Sequence, residues 1–157
     1  MKKIVLFTTL LIAVNFIFAQ DAKSDTTAGN HFVGLSIGST TGMGFSYKYV
    51  KNRFGIQLTG IPVFSDSELW ASAGVGFTFR SKKAVELNKK FVPLLYAGSS
   101  IMVDNRSLDF LSIGAGFGFD HKFSENFVFS FMGGYGFYAA SSLLTTFSGE
   151  MGLHYKM

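Results

Sequence analysis

The sequence predicts an all-β fold, an eight-stranded up-and-down antiparallel transmembrane β-barrel. Three observations carry that prediction. Apolar and small or polar residues alternate with period two from Phe32 almost to Met157. Glycine and phenylalanine number 18 and 19 of 157 residues while charged residues make up 15%, against about 25% in an ordinary soluble domain. Beyond the N-terminal segment no long apolar run could cross a bilayer as a helix, which takes roughly 20 residues. Strands can satisfy their backbone in lipid only as a closed barrel, because an open edge leaves N–H and C=O groups unpaired.

Residues 1–19 read as a cleaved signal peptide. Met1, Lys2 and Lys3 form a charged start, Ile4 to Phe18 an apolar stretch too short for an ordinary spanning helix, and Ala19 a small residue at the cleavage point. Residues 20–31 are polar and aperiodic, a flexible periplasmic leader, and residues 32–157 form the barrel. The absence of cysteine excludes disulfides, thiol metal sites and a lipid-modified N-terminal cysteine. Net charge is +4. Lys2 and Lys3 supply two of those charges, so nothing in the barrel region points to nucleic acid.

The strands follow in order. The first (Phe32 to Ser39) sets Val33, Leu35 and Ile37 against Gly34, Ser36 and Gly38. After Thr40-Thr41-Gly42, the second sets Met43, Phe45, Tyr47 and Tyr49 against Gly44, Ser46 and Lys48. A tight turn at Lys51-Asn52 leads to the third, with Phe54, Ile56 and Leu58 against Arg53, Gly55, Gln57 and Thr59. The fourth sets Ala71, Ala73, Val75, Phe77 and Phe79 against Ser72, Gly74, Gly76, Thr78 and Arg80. Residues 81–90 make a charged connection with room for one helical turn. The fifth strand, Phe91 to Met102, carries Pro93 near its start, where a missing N–H is tolerated, and its parity is ambiguous. The sixth sets Leu111, Ile113, Ala115, Phe117 and Phe119 against Ser112, Gly114, Gly116, Gly118 and Asp120. The seventh sets Phe127, Phe129, Phe131, Tyr135 and Phe137 against Ser130, Gly134 and Gly136. The eighth sets Phe147, Met151, Leu153, Tyr155 and Met157 against Ser148, Glu150, Gly152, His154 and Lys156. Outer connections fall at about 39–42, 62–69, 103–108 and 139–146.

The apolar face should point outward. Its opposite is mainly Gly and Ser, which would cover a soluble exterior poorly but suits the crowded lumen of an eight-stranded barrel. With the turns at 51–52, 81–90 and 121–126 and the C-terminus taken as the periplasmic end, outward aromatics gather beside it. They are Tyr47, Tyr49, Phe54, Phe77, Phe79, Phe117, Phe119, Phe127, Phe129 and Tyr155, an expected interfacial girdle. Basic residues share that end: Lys48, Lys51, Arg53, Arg80, Lys82, Lys83, Lys89, Lys90, Lys122 and Lys156. Asp66, Glu68, Asp104 and Asp109, with Arg106, lie toward the other. Such asymmetry suits orientation in a charged lipid environment.

Gly149 to Met157, with outward residues at every second position and an aromatic at Tyr155, resembles the C-terminal sorting signal of outer-membrane barrels. From residue 32 onward the chain resembles the small porin-like, OmpA/OmpX-like outer-membrane barrel superfamily. It departs from that pattern in ending on Met157 where Phe or Trp is usual. The resemblance implies a bacterial outer-membrane location, outer-membrane lipids as surroundings and handling by the barrel assembly machinery through the C-terminal strand. Some barrels of this kind are lipid A deacylases with a His-x-Ser-Asn-like stretch; here Tyr155-Lys156-Met157 follows His154, so that motif is missing.

No chemical site emerges. Gly114-Ala115-Gly116-Phe117-Gly118 lies inside an alternating strand with no helix after it, so it lacks the phosphate-cradle context. His31, His121 and His154 are scattered and do not form a metal set. Asn105-Arg106-Ser107 and Asp25-Thr26-Thr27 match glycosylation patterns that arise often by chance. No catalytic residue, cofactor or metal is expected. The inward charges Glu150, Arg80, Lys48, Arg53 and Lys156 form an expected lumen network, with Arg80 the preferred partner of Glu150 through two hydrogen bonds and Lys48 the alternative. The leading expectation is a non-enzymatic barrel that supports the envelope or passes small solutes at most. The alternatives are a surface binding or adhesion barrel using its outer loops, and a secreted soluble β-protein.

Overall fold

In the computed structural model, the described residues are 29–64, 69–87, 89–104, 107–139 and 143–157. The expected signal segment, most of the leader, Asp66, Glu68, Asn105 and Arg106 lie outside them. Eight strands form the sheet: β1 Asn30–Gly38, β2 Gly42–Lys51, β3 Phe54–Phe64, β4 Leu69–Arg80, β5 Phe91–Asp104, β6 Ser107–Lys122, β7 Phe127–Ala139 and β8 Leu143–Lys156. One short helix, α1 Lys82–Glu86, bridges β4 and β5. Each strand pairs antiparallel with the next. The β1–β8 ladder, running from Phe32 opposite Lys156 to Gly38 opposite Glu150, closes the barrel. Closure leaves free edges only where longer strands rise past shorter neighbours, as β8 does beyond Glu150 beside β1.

Residue parity sorts the two faces. Ser36, Ser46, Gln57, Thr59, Ser112 and Ser130 are buried in the lumen, while Leu35, Phe117 and Tyr135 are 61%, 72% and 70% exposed on the outer wall. This inverts the ordinary globular distribution, in which apolar side chains fill the interior. The ambiguous fifth strand resolves with Val92, Leu94 and Tyr96 inward and Phe91, Pro93 and Leu95 outward. Apolar residues occupy both of its faces, so alternation alone could not fix its parity.

The strands reach further than expected at the end away from the termini. Leu143–Thr146, expected as loop, pairs with Gly136–Ala139 in the β7–β8 ladder. A ladder is held by backbone groups, so these residues join it without any side-chain alternation. The wall is uneven: β1 and β2 have 9 and 10 residues, whereas β5, β6 and β8 have 14, 16 and 14. A β-bulge between Met102 and Val103 interrupts the β5–β6 register near that end.

At the terminal end two expectations shift. His31, assigned to the leader, belongs to β1, and its Nδ1 lies 2.6 Å from the Tyr47 hydroxyl. The β2–β3 turn is Asn52-Arg53, because Lys51 pairs with Phe54. Asn52 takes a φ of 54°, a left-handed conformation that asparagine tolerates better than β-branched residues do. Arg53 is thereby carried out of the ladder.

Asn52→Gly should leave stability in a detergent unfolding assay within about 0.5 kcal/mol of the parent, whereas Asn52→Val should lower it by about 1–2 kcal/mol.

Candidate functional site: the barrel lumen

The lumen is filled by two polar clusters and two apolar ones. The first polar cluster joins four strands toward the terminal end. Lys48 of β2 donates from Nζ to Asp120 Oδ1 and to Ser130 Oγ, each at 2.9 Å. Ser130 donates to Asp120 Oδ1 at 2.6 Å. Arg80 of β4 donates from Nε to Asp120 Oδ2 at 2.8 Å, and a second guanidinium nitrogen donates to the same oxygen. Asp120 and Ser130 are direct cross-strand neighbours of β6 and β7, so Asp120 is presented to both cations already hydrogen-bonded. All four residues are buried. Burying a carboxylate demands such partners, since an unpaired one would be heavily penalised.

This arrangement corrects the expected network. Arg80 and Lys48 do meet a carboxylate across the lumen, but it is Asp120 and not Glu150. Arg53 sits outside the lumen, with its guanidinium 4.2 Å above the Phe79 ring and its Nε donating to the Arg80 carbonyl at 3.1 Å. The reason is the turn register: an arginine in the turn is free to reach the outer wall. Lys156, at the end of β8 and half-buried, joins neither ion pair. Asp120 was legible as an inward residue from the parity of β6. Its height relative to Lys48 and Arg80 was not.

The second cluster explains Glu150. The β1–β2 connection, expected as an outer loop, folds into the lumen, leaving Thr40 and Thr41 only 0% and 1% exposed. The Thr40 backbone N–H donates to Glu150 Oε1 at 3.1 Å, the Thr40 hydroxyl donates to the same oxygen, and the Thr41 hydroxyl donates to Oε2. Tyr138 of β7 donates its hydroxyl to Ser39 Oγ at 2.9 Å. The Met43 N–H donates to Ser72 Oγ of β4 at 3.2 Å. Three strands therefore hold this turn inward.

Glycines make room for it. A Cβ on Gly76 or Gly98 would stand 2.9 or 2.7 Å from Thr41 Cγ2, and one on Gly114 would stand 2.5 Å from Thr40 Cγ2. These spacings are too short for carbon atoms, so the glycines of β4, β5 and β6 form the socket into which the turn fits. The segment Gly114 to Gly118, which superficially resembles a nucleotide loop, contributes part of this socket.

Between and beyond these clusters the filling continues. Leu94, Tyr96 and Met132 form one apolar cluster, and Phe32, Val50 and Val128 another toward the terminal end. Tyr96 and Ser148 hydroxyls lie 2.8 Å apart, as do those of Ser100 and Ser112. Gln57 donates to Ser36 Oγ at 3.0 Å. Ser46 Oγ and His154 Nε2 are 3.0 Å apart, the spacing of a nucleophile and its base, but both are buried within the packed interior. Sequence reasoning missed the apolar lumen residues because they occupy a face otherwise made of small and polar ones.

On the outer wall the aromatics expected as a girdle stand at the terminal end in touching groups. Ring centroids are 5.0 Å apart for Phe54 and Phe79, and 5.1 Å for Phe127 and Tyr155. Phe119 lies between Phe91 and Phe131, at 4.4 and 5.8 Å. Phe77 and Phe117 are exposed on the same wall. Phe123 approaches Phe129, and His31 approaches Tyr47 and Tyr49.

Two outcomes test this geometry. Asp120→Asn leaves Lys48 and Arg80 facing a neutral amide and should cost about 3–5 kcal/mol of stability, whereas Glu150→Gln and Arg80→Gln should combine additively within about 0.5 kcal/mol in a double-mutant cycle. Because the chain has no cysteine, Thr41→Cys introduces a single thiol. That thiol should resist a maleimide reagent in the otherwise unchanged barrel and react readily once Gly98→Val fills its socket.

No protein-family model matches the chain, and no curated protein sequence matches it significantly. Solved structures do. The N-terminal β-barrel domain of Pseudomonas aeruginosa OprF is 12% identical with a TM-score of 0.51, over 83% of this chain and 98% of that one. Ail, the attachment invasion locus protein of Yersinia pestis, solved with the heparin analogue sucrose octasulfate, is 16% identical with a TM-score of 0.38, over 83% and 99%. At such identities the likeness to the OprF domain speaks for architecture: the chain has the fold of the small eight-stranded outer-membrane barrels.

Proposed function

We propose that the protein is an integral barrel of a bacterial outer membrane, exported through a cleaved signal peptide at residues 1–19. It serves the envelope structurally, catalyses no reaction and holds no standing pore. The observation that carries this reading is the inverted wall: large apolar side chains on the outside around a lumen packed with hydrogen-bonded polar groups. Such an exterior would draw a soluble protein into aggregation, and in lipid it is simply solvated. The secreted soluble alternative is disfavoured on that ground. In the preferred orientation both termini face the periplasm, and β8 would present the C-terminal strand to the assembly machinery.

The case against a pore rests on filling. Inward-facing Ser112, Ser130, Ser148 and His154 are each 0% exposed, so no water-sized gap runs beside them. The Thr40-Thr41 turn occupies the half of the lumen nearer the loops, and Phe32, Val50 and Val128 pack toward the termini. The same turn is drawn inward, so the β1–β2 connection offers nothing to a binding surface built from outer loops.

Full-length protein refolded into planar bilayers should show no large, steady conductance; a stable channel passing sugars would overturn the structural reading. The mature chain should fractionate with outer membranes and migrate differently on gels before and after boiling. Recovery from the soluble periplasmic fraction would refute the membrane assignment. Ile113, 60% exposed on the wall, gives a quantitative check: Ile113→Arg should cost about 2–4 kcal/mol of folding stability in lipid vesicles, and Ile113→Leu almost nothing.

A further inference from the structure

Between α1 and the start of β5, at the terminal rim, lies a hollow of about 330 Å³ lined by Ser81, Lys83, Ala84, Lys89, Phe91 and Pro93. That size is at the lower end of pockets that take small ligands, roughly 300–1,000 Å³. The backbone fixes its walls. Ser81 N–H donates to the Pro93 carbonyl at 2.9 Å, and Lys89 N–H donates to the Ala84 carbonyl at 3.0 Å, so the segment curls back on itself. Buried Ala84 pins the helix to the barrel.

The lining is two-sided in chemistry. Lys83 and Lys89 are exposed, and among the described residues neither has a carboxylate partner. The nearby Glu86 faces Lys82 instead, at 3.7 Å. Phe91 and Pro93 belong to the outward face of β5. Phe91 stacks on Phe119 at 4.4 Å, and Phe119 continues to Phe131. The apolar floor of the hollow is therefore continuous with the apolar outer wall, while its edge carries two ammonium groups that have no carboxylate partner among the described residues.

We infer that this hollow binds the headgroup of an anionic phospholipid, with Lys83 and Lys89 on the phosphate and Phe91 and Pro93 against the start of an acyl chain. A soluble anion would find the charges but would have no use for the apolar floor. An apolar ligand would have no use for the lysines. A phospholipid of the leaflet on the terminal side satisfies both, and the wall delivers it at the right depth. This inference rests on the membrane reading above.

The test uses full-length protein refolded in detergent micelles doped equally with phosphatidylglycerol and phosphatidylcholine, with retained lipid read by native mass spectrometry. Phosphatidylglycerol should be retained preferentially. The double variant Lys83→Gln, Lys89→Gln should lower its retention by about 25-fold, at about fivefold per lysine near an anionic surface. Phe91→Ser should weaken phosphatidylglycerol while leaving inorganic phosphate unaffected. Equal retention of the two lipids, or no change in the double variant, would refute the site. So would inorganic phosphate competing as well as the lipid with no dependence on Phe91. Insertion of the same preparation into vesicles, followed by its gel shift on boiling, separates the outcomes. A barrel that inserts but shows no lipid preference disproves the hollow alone, and one that fails to insert disproves the membrane reading with it.

Discussion

An eight-stranded barrel encloses a lumen that its own side chains just fill, and most features of this chain follow from that limit. Several large inward groups lie against a glycine. The carboxylate of Glu150 occupies the space a Cβ on Gly38 would need, Met132 that of Gly118, Tyr138 that of Gly136, and Thr41 that of Gly76 and Gly98. Glycine weakens an ordinary strand. Here it is the condition for packing long side chains and a folded-in turn into one narrow tube, and the abundance of glycine is the compositional trace of that packing.

The same confinement governs the charges. A buried carboxylate needs either opposite charge or several hydrogen-bond donors, and the two lumen carboxylates use different solutions. Asp120 takes two cations and the Ser130 hydroxyl. Among the described residues Glu150 takes no cation, and it accepts from the hydroxyls of Thr40 and Thr41 and one backbone N–H. The first arrangement couples β2 and β4 to the adjacent pair β6 and β7 across the lumen. The second couples a strand to a turn. Both act across the lumen, so they add constraints that neighbouring ladders do not supply. Both carboxylates are thus answered by named side-chain and backbone partners without recourse to solvent.

Much of this was legible in the alternation. Period two assigned most inward and outward residues correctly, including Asp120, Glu150 and the glycines of β4 and β6. What alternation cannot supply is relative height. In a barrel the strands tilt and stagger, so two inward residues with equal parity can sit at different levels. That is why Arg80 was matched with Glu150 although it reaches Asp120. Parity also fails where both faces are apolar, as from Phe91 to Tyr96, and where a turn shifts by one residue, as at Asn52-Arg53. The inward fold of Thr40-Thr41 left only an indirect signal: small residues on β4, β5 and β6 with nothing evident to fill the space beside them.

The uneven wall gives that turn its position. A tilted spanning strand needs about 9–11 residues; β1 and β2, with 9 and 10, only just reach that length, while β6, with 16, rises well beyond them. A longer β1–β2 connection would stand clear of the lumen mouth. This one follows a low hairpin and has only Ser39, Thr40 and Thr41 between paired Gly38 and Gly42. Its polar groups must therefore be satisfied at about the level where the lumen begins. Facing lipid would leave them unpaired; turning inward offers Glu150, Tyr138 and Ser72. The short side of the barrel and the occupied lumen are thus one feature. Lengthening β1 and β2 would remove the reason for the turn to enter, and replacing the glycines opposite would remove its place to go.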